Sequence, residues 1–204
     1  MSAILDSGER REFSTGAVRD IQEGKGRCDL LPLSVVCPLM DKQEYANILY
    51  HIDEYMQAGY SESLYKSIYI FAECRGWSIP TLIMEVSKHY EEGALKYGEY
   101  NWQKGIPLHC YIDSAVRHFL KFIDGREDEP HDRAFIWNLL GALWTQANKP
   151  SMMDLKFPQR PTVDCNELDS EGPGTDKSND EDTITVSKSK LTELLENIAP
   201  LSQQ

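Results

Sequence analysis

The sequence lacks the features of a membrane span, a secretory leader or a cysteine scaffold. No run of about 18 apolar residues occurs in it, which excludes a transmembrane helix. The first residues turn polar by Asp6, so we expect no secretory signal. The five cysteines are scattered and never form a C-x-x-C spacing, which indicates a reducing compartment and neither zinc fingers nor disulfides. We expect a cytoplasmic protein without a membrane partner.

Positive charge is scarce in the 204-residue chain. Lys and Arg number 21 against 33 Asp and Glu, which gives a formal net charge of −12. Such a chain repels the phosphates of duplex nucleic acid and of anionic lipid surfaces. We therefore expect no duplex nucleic acid among its partners.

Apolar side chains are almost absent from the acidic C-terminal stretch. Residues 164–182 hold eight acids and a single lysine, so burial cannot offset the entropy of ordering them. We predict a domain over 1–149, a disordered acidic linker over 150–186 and a short amphipathic helix over 187–199. An adaptor function, in which this tail recruits a partner, stays open as an alternative.

Strand patterns are also missing, since no stretch of four or more residues alternates convincingly between apolar and polar. The last helical segment is apolar nearly all round and should be central. The opening residues 1–30 have no periodicity. The sequence therefore predicts an all-α helical bundle with an irregular N-terminal arm. The helical segments, each bounded by glycine, proline or a capping residue, lie at about 41–59, 61–76, 80–97, 109–124 and 132–147.

Several polar residues beside the apolar stripes are candidates for a site. His89 and Glu92 share one flank of a helix and are either metal ligands or members of surface pairs. Asp113 and Arg117 have the i,i+4 spacing of a salt bridge on a helix surface. Asn138, on the most apolar helix, must find partners for its amide, and the small residues around it leave room for another helix or a ligand.

The segment before the last helix combines five acids with one histidine over residues 124–132. It is either an ordinary loop at a helix N-terminus or a source of oxygen ligands for a divalent cation. His131 and Asp132 also allow an HD dyad of a metal phosphohydrolase, with an upstream histidine such as His118. That set is incomplete, because the only later acids are Asp154 and those of the tail.

Clustered glycines in the N-terminal arm accompany two cations, Lys25 and Arg27. Backbone N–H groups and these cations could approach a phosphate there. The simpler interpretation is a mobile basic loop, since the spacing is not that of a P-loop.

Six stretches of the chain together form a recognisable pattern. They are EEGALKYGEYNWQKGIP at 91–107, YIDSAVRH at 111–118, GRED at 125–128, HDRAFIWN at 131–138, and, in the arm, TGAVR at 15–19 with GKGRCDLLP at 24–32. This pattern resembles one family, the phage and prophage dATP/dGTP diphosphohydrolase-type domain. That domain is similar to the MazG-like all-α nucleoside triphosphate pyrophosphohydrolases. Residues 40–79 look like an insertion relative to shorter members.

The resemblance implies hydrolysis of a purine deoxynucleoside triphosphate to the monophosphate and pyrophosphate. It also implies Mg²⁺ or Mn²⁺ as cofactor, a homo-oligomer, and phage or prophage nucleotide metabolism in the cytoplasm of a bacterial host. In the MazG-like metal motif, Glu-x-x-Glu-Glu, this chain keeps the paired acids but has Lys88 at the first position. A non-catalytic protein that sequesters nucleotide or binds a host factor is the alternative.

The resemblance also implies roles for individual residues. The expected metal ligands are Glu91, Glu92, Asp128 and His131. The expected catalytic residues are Glu91, Glu92 and His118. The expected phosphate-binding cations are Lys25, Arg27, Lys96 and Arg117. The expected base and ribose contacts are Tyr97, Asn101, Trp102 and Asn138.

Overall fold

Helices form most of residues 9–155, which are the residues that the computed structural model describes. The five long helices begin and end within two residues of the predicted bounds, so the all-α prediction is confirmed. A single additional turn, Leu33–Val36, has no periodicity by which it could be predicted. The helices are α1 (Leu33–Val36), α2 (Gln43–Ala58), α3 (Ser61–Cys74), α4 (Ile79–Tyr97), α5 (Leu108–Ile123) and α6 (His131–Asn148).

The ends of the helices follow from local sequence. At the start of α4, Ser78 Oγ accepts a hydrogen bond from the Thr81 backbone N–H at 3.3 Å, and Pro80 lies in the first turn. Helix α2 ends at Gly59, whose φ of 71° is the left-handed conformation that favours glycine.

The core lies where α5 and α6 pack along each other, with the α2–α3 hairpin on one side and α4 against α6. Phe71, Phe119 and Phe135 are fully buried, and the rings of Phe119 and Phe135 have centroids 5.2 Å apart. Helix α6 is buried along most of its length, as its all-round apolar sequence predicts.

The small residues of α6 allow another helix to approach, which is one of the two predicted uses. The fully buried Tyr111 of α5 lies over Gly141, and a Cβ atom added at Gly141 would be 2.3 Å from that ring. The close contact of α5 with α6 therefore requires a residue without a side chain at this point.

The N-terminal arm is not wholly irregular, which corrects the sequence-based expectation. Strands β1 (Arg10–Glu12) and β2 (Val18–Asp20) pair antiparallel, with Arg11 opposite Arg19. The Asn101 amide borders β2 as a neighbouring strand would: it donates to Val18 O at 2.8 Å and accepts from Val18 N at 2.9 Å. Strands of three residues are too short for an alternating pattern to be recognised.

The bundle extends beyond the predicted domain end at 149. Residues Pro150–Met152 form a 3₁₀ turn, and Asp154 accepts a hydrogen bond from the backbone N–H of His109 at 2.9 Å. The rest of the predicted linker, and the helix predicted over 187–199, lie outside the described residues. No helix within residues 9–155 is both long and apolar enough to cross a membrane.

We predict that Gly141→Ala lowers the free energy of unfolding by about 1–3 kcal/mol, because the new methyl group overlaps the Tyr111 ring. The measurement is urea unfolding followed by circular dichroism. Gly93→Ala is the matched control: this glycine is also in a helix, but a Cβ atom there meets nothing within 4 Å. The control should be neutral or stabilising, by up to about 1 kcal/mol. Equal losses in both variants would contradict the packing argument.

Candidate active site

A cavity of about 480 Å³ lies between the N-terminal arm and helices α4, α5 and α6. This volume is within the range of small-molecule sites, about 300–1,000 Å³. The sequence-predicted site residues among its lining are Lys25, Tyr97, Asn101, Trp102, Arg117, His118 and Asn138.

The charge of the cavity wall is opposite to that of the whole chain. Five cationic side chains line it, against three carboxylates. A cavity with this excess of positive charge attracts anions locally even in a protein of net charge −12. The cations are Arg11, Arg19, Lys25, Arg117 and Lys121, and the carboxylates are Asp20, Asp113 and Glu129.

Arg19 is the most strongly positioned of these cations. Its Nη2 donates to Asn138 Oδ1 at 2.9 Å and to Ser114 Oγ at 3.2 Å. Its guanidinium carbon lies 5.7 Å from the centre of the Trp137 ring. The buried Nη1 has no hydrogen-bond partner within residues 9–155, so it retains donors for an anionic ligand.

Asp113 joins the arm to α5. The carboxylate is almost fully buried and accepts from the Cys28 backbone N–H at 2.7 Å and from Gln22 Nε2 at 2.9 Å. It also forms a salt bridge with Arg117. The predicted surface salt bridge is therefore a buried one, because the arm covers this face of α5.

Asp20 is bound by two residues at the C-terminal end of α4. Lys96 Nζ lies 2.9 Å from Asp20 Oδ2, and the Tyr97 hydroxyl donates to Asp20 Oδ1 at 2.8 Å. Lys96, predicted to bind phosphate, thus neutralises a carboxylate of the arm. The Tyr97 ring lines the cavity while its hydroxyl holds the arm in place.

The residues predicted to contact base or ribose have different surroundings. The Asn101 amide is fully engaged with Val18, and the Asn138 amide holds Arg19 and donates to Ala134 O at 2.8 Å. Both are positioning residues in this arrangement. Trp102 packs edge-on against neighbouring aromatic rings and also lines the cavity, so a contact with the base is compatible with its position.

Three potential metal-ligating atoms lie close together beside the cavity, whose lining includes His118 and Glu129. His118 Nδ1 lies 3.0 Å from His131 Nδ1, and Glu129 Oε1 lies 3.5 Å from each of them. Asp128 Oδ1 is 2.7 Å from Nε2 of His131, on the far side of that ring. Within residues 9–155 this is the one group of three or more His, Cys, Asp or Glu side chains close enough to hold a metal ion together.

Burial shifts the pKa values of His118 and Glu129 in opposite directions. Desolvation holds the pKa of His118 well below its usual range, with the neighbouring His131 adding to the effect. Desolvation likewise raises the pKa of Glu129, partly offset by His131 and Lys121. Lys121 and His131 hold the pKa of Asp128 at about 2, the Lys121 hydrogen bond being the larger cause, so Asp128 is a carboxylate at neutral pH.

The HD-dyad interpretation does not fit the structure. Asp132 Oδ2 lies 2.9 Å from Arg75 Nη2 of α3, and Asp132 does not line the cavity. Glu129, before the helix, takes the position beside His131.

The predicted acidic pair of α4 does not converge on a shared cation site. Glu91 is exposed, whereas Glu92 Oε1 lies 3.5 Å from Arg133 Nη1. Glu92 is thus close to a cationic side chain and neither residue lines the cavity, so a magnesium or manganese site built on this pair does not fit the arrangement.

Arg27 also lies apart from the cavity. Its guanidinium forms two hydrogen bonds with the buried Asp29. Of the four predicted phosphate cations, the structure therefore brings Lys25 and Arg117 to the cavity wall.

Arg19 and Glu129 were missed as site residues by reasoning from the sequence. Arg19 belongs to the arm stretch TGAVR and Glu129 to the acidic loop, so both lay within segments already singled out. No spacing rule connects Arg19 to α5 or α6, because its contacts join distant parts of the chain.

The comparison with family models decides the assignment. Residues 73–155 match the model described as dATP/dGTP diphosphohydrolase, N-terminal. This part of the chain is similar to that family. The match covers α4, α5 and α6 and the cluster of His118, Glu129 and His131, and it begins after the arm and α2. No curated protein and no solved structure matches the chain.

The family's description names an enzyme, which agrees with the expected nucleotide hydrolase. The arm lies outside the matched residues, although its side chains line the same cavity as those of α4, α5 and α6. The family segment, residues 73–155, thus forms only part of the cavity wall, and the arm completes it.

His89 gives a pH-dependent prediction. This buried imidazole lies beside Trp137, and desolvation lowers its pKa to about 4, with Arg133 and Arg19 contributing. In the unfolded chain the His89 imidazole binds a proton as the pH falls below about 6.5. In the folded protein it stays neutral until the pH falls to about 4. We expect His89 to cost stability as the pH falls from 6.5 to 4, by at most about 1.4 kcal/mol per pH unit.

The measurement is the free energy of unfolding against pH for the wild type and for His89→Gln, together with the NMR titration of the ring. The variant should lose less stability over this interval. A ring that titrates near pH 6.5 in the folded protein would contradict the burial argument.

Proposed function

We propose that the cavity binds a purine deoxynucleoside triphosphate and that the protein hydrolyses it to the monophosphate and pyrophosphate. The observation that carries the proposal is the cation-lined cavity, formed partly by the family segment. The purine preference comes from the family description, which names dATP and dGTP. Mg²⁺ or Mn²⁺ would accompany the nucleotide and neutralise part of its phosphate charge.

Three cations suit the phosphates. Arg19, Lys25 and Arg117 line the cavity, and each of the two arginines has a buried nitrogen without a partner among residues 9–155, Nη1 in Arg19 and Nε in Arg117. Charge-assisted hydrogen bonds to phosphate oxygens would satisfy these donors. Hydrolysis of a triphosphate depends chiefly on such positioning and charge neutralisation.

Aromatic rings suit the base. Tyr97, Trp102 and Trp137 line the cavity and expose ring surface on which a purine can stack. The triphosphate would then extend toward the cations of the arm and of α5.

The reaction breaks the bond between the bridging oxygen and the α-phosphorus. A water oxygen attacks that phosphorus, the water loses a proton, and pyrophosphate leaves with the bridging oxygen. The water must be activated on the wall that holds the phosphates, where His118 and Glu129 lie beside Arg117 and Lys25.

The biological setting is proposed from the resemblance alone. We place the reaction in phage or prophage nucleotide metabolism, in the cytoplasm of a bacterial host, and expect a homo-oligomer.

A second candidate is a protein that binds the nucleotide without hydrolysing it. The divergence of Glu91 and Glu92 favours it, because the acidic pair expected to hold the catalytic metal does not form a site. Sustained turnover would exclude this candidate.

The reaction itself is tested by incubating the full chain with dATP, dGTP, dCTP or dTTP and either Mg²⁺ or Mn²⁺, and separating the products by ion-exchange chromatography. We expect dAMP or dGMP with pyrophosphate. Release of inorganic triphosphate would contradict the proposed bond cleavage. Tight binding without any product would support the sequestering protein instead.

Arg19→Gln should lower kcat/KM about 10- to 100-fold, because one charge-assisted contact to phosphate is lost. The matched control is Arg126→Gln, since Arg126 is exposed, pairs with Asp124 and lies outside the cavity lining. Steady-state kinetics give the comparison, and thermal unfolding verifies that both variants are folded. Unchanged kinetics in a folded Arg19→Gln protein would remove Arg19 from the site.

A further inference from the structure

We propose that His118, His131 and Glu129 bind one divalent transition-metal ion, distinct from the Mg²⁺ or Mn²⁺ that accompanies the nucleotide. The ligands are His118 Nδ1, His131 Nδ1 and Glu129 Oε1. This inference stands apart from the proposed function, because it concerns metal binding by the protein without nucleotide.

The spacing of the three atoms fits one small ion. They form a triangle with edges of 3.0, 3.5 and 3.5 Å. The point equidistant from such corners lies about 1.9 Å from each, and an ion slightly above the plane reaches the roughly 2.0–2.2 Å of zinc bonds to imidazole nitrogen and carboxylate oxygen. Three protein ligands leave at least one position for water, as in catalytic zinc sites.

Asp128 orients the His131 ring. Its Oδ1 lies 2.7 Å from His131 Nε2, while Lys121 Nζ holds its other oxygen at 2.9 Å. The carboxylate therefore keeps the ring proton on Nε2 and leaves the Nδ1 lone pair directed at the cluster. A metal-bound histidine commonly has this second partner. Asp128, expected as a direct ligand, is instead a positioning residue.

The neutral form of the cluster suits a cation. When the His131 ring carries its proton on Nε2, its Nδ1 faces the Glu129 oxygen at 3.5 Å, so two lone pairs meet in a mostly buried place. His118 has one Nδ1 and can donate to only one of these acceptors well. An ion at the centre is attracted by all three atoms at once.

The ligand chemistry selects the metal. Mg²⁺, Ca²⁺ and Mn²⁺ favour oxygen ligands, whereas two imidazoles with a carboxylate suit Zn²⁺, Co²⁺ or Fe²⁺. His118 and Glu129 line the cavity, so the open position of the ion faces the space proposed for the triphosphate.

The test uses the full chain, stripped with a chelator and titrated without nucleotide. Calorimetry with Zn²⁺ should give one ion per chain, and Co²⁺ should give the visible absorption bands of a nitrogen and oxygen site. We expect His118→Ala and Glu129→Gln to weaken Zn²⁺ affinity at least 100-fold, and Asp128→Asn to weaken it 10- to 100-fold. Mg²⁺ at the same concentrations should not compete.

His51→Ala is the matched control. His51 Nδ1 also lies near a glutamate, 3.2 Å from Glu54 Oε2, but on α2 and outside the cluster. It should leave Zn²⁺ affinity unchanged. Circular dichroism verifies folding, and Glu129→Gln, which keeps side-chain size, decides the matter if His118→Ala does not fold.

Three results would overturn the inference. They are the absence of stoichiometric Zn²⁺ or Co²⁺ binding by the wild type, equal affinity in the folded variants, or a Co²⁺ spectrum with thiolate charge-transfer bands. Each of them leaves the nucleotide assay to be judged by its own products. Conversely, failure of that assay does not alter the metal titration.

Discussion

The structure depends on the buried carboxylate of Asp113. A buried charge is stable only when it is paired and hydrogen-bonded, and Asp113 has partners from its own helix and from the arm. Its bond to the Cys28 N–H fixes the arm across α5. The arm in turn brings Arg19 and Lys25 to the cavity, so the hydrogen bonds between this buried carboxylate and the arm help to give the cavity its positive wall.

The separation of charge within the chain follows from this arrangement. The protein is strongly acidic as a whole, while the arm and α5 concentrate cations around one space. Such a distribution favours a small anion that enters a cavity over a polyanion that must lie along the surface. His118 and Glu129 line the same space. In the reaction that we propose, phosphate binding and water activation therefore take place on the same wall.

The helices could be predicted from the sequence because their signals are local. Apolar residues at helical spacing, with Gly59 and Pro80 at the boundaries, placed five helices within two residues of their observed bounds. The site depends on contacts between distant positions. Asn101 borders β2 across 83 residues, and Arg19 reaches Asn138 across 119, which no periodicity encodes.

The proposed metal ligands were likewise only partly predictable from the sequence. His118 and His131 were recognised as candidates, but the resemblance to MazG-like enzymes directed attention to Glu91 and Glu92. Glu91 is exposed and Glu92 lies near Arg133, whereas the loop before α6 places Glu129 beside both histidines. In the sequence, Asp128 and Glu129 are adjacent acids that cannot be told apart by role. In the structure, the course of the backbone before His131 places Asp128 against Nε2 of the His131 ring and Glu129 near the Nδ1 atoms of both histidines.

Hydrogen exchange of the full chain, with and without a non-hydrolysable dGTP analogue, tests most directly whether the arm and bundle together bind a nucleotide. The account predicts slower amide exchange in two separate stretches, residues 18–28 of the arm and 111–118 of α5. Slowing confined to α2 and α3, or no slowing at saturating nucleotide, would contradict it.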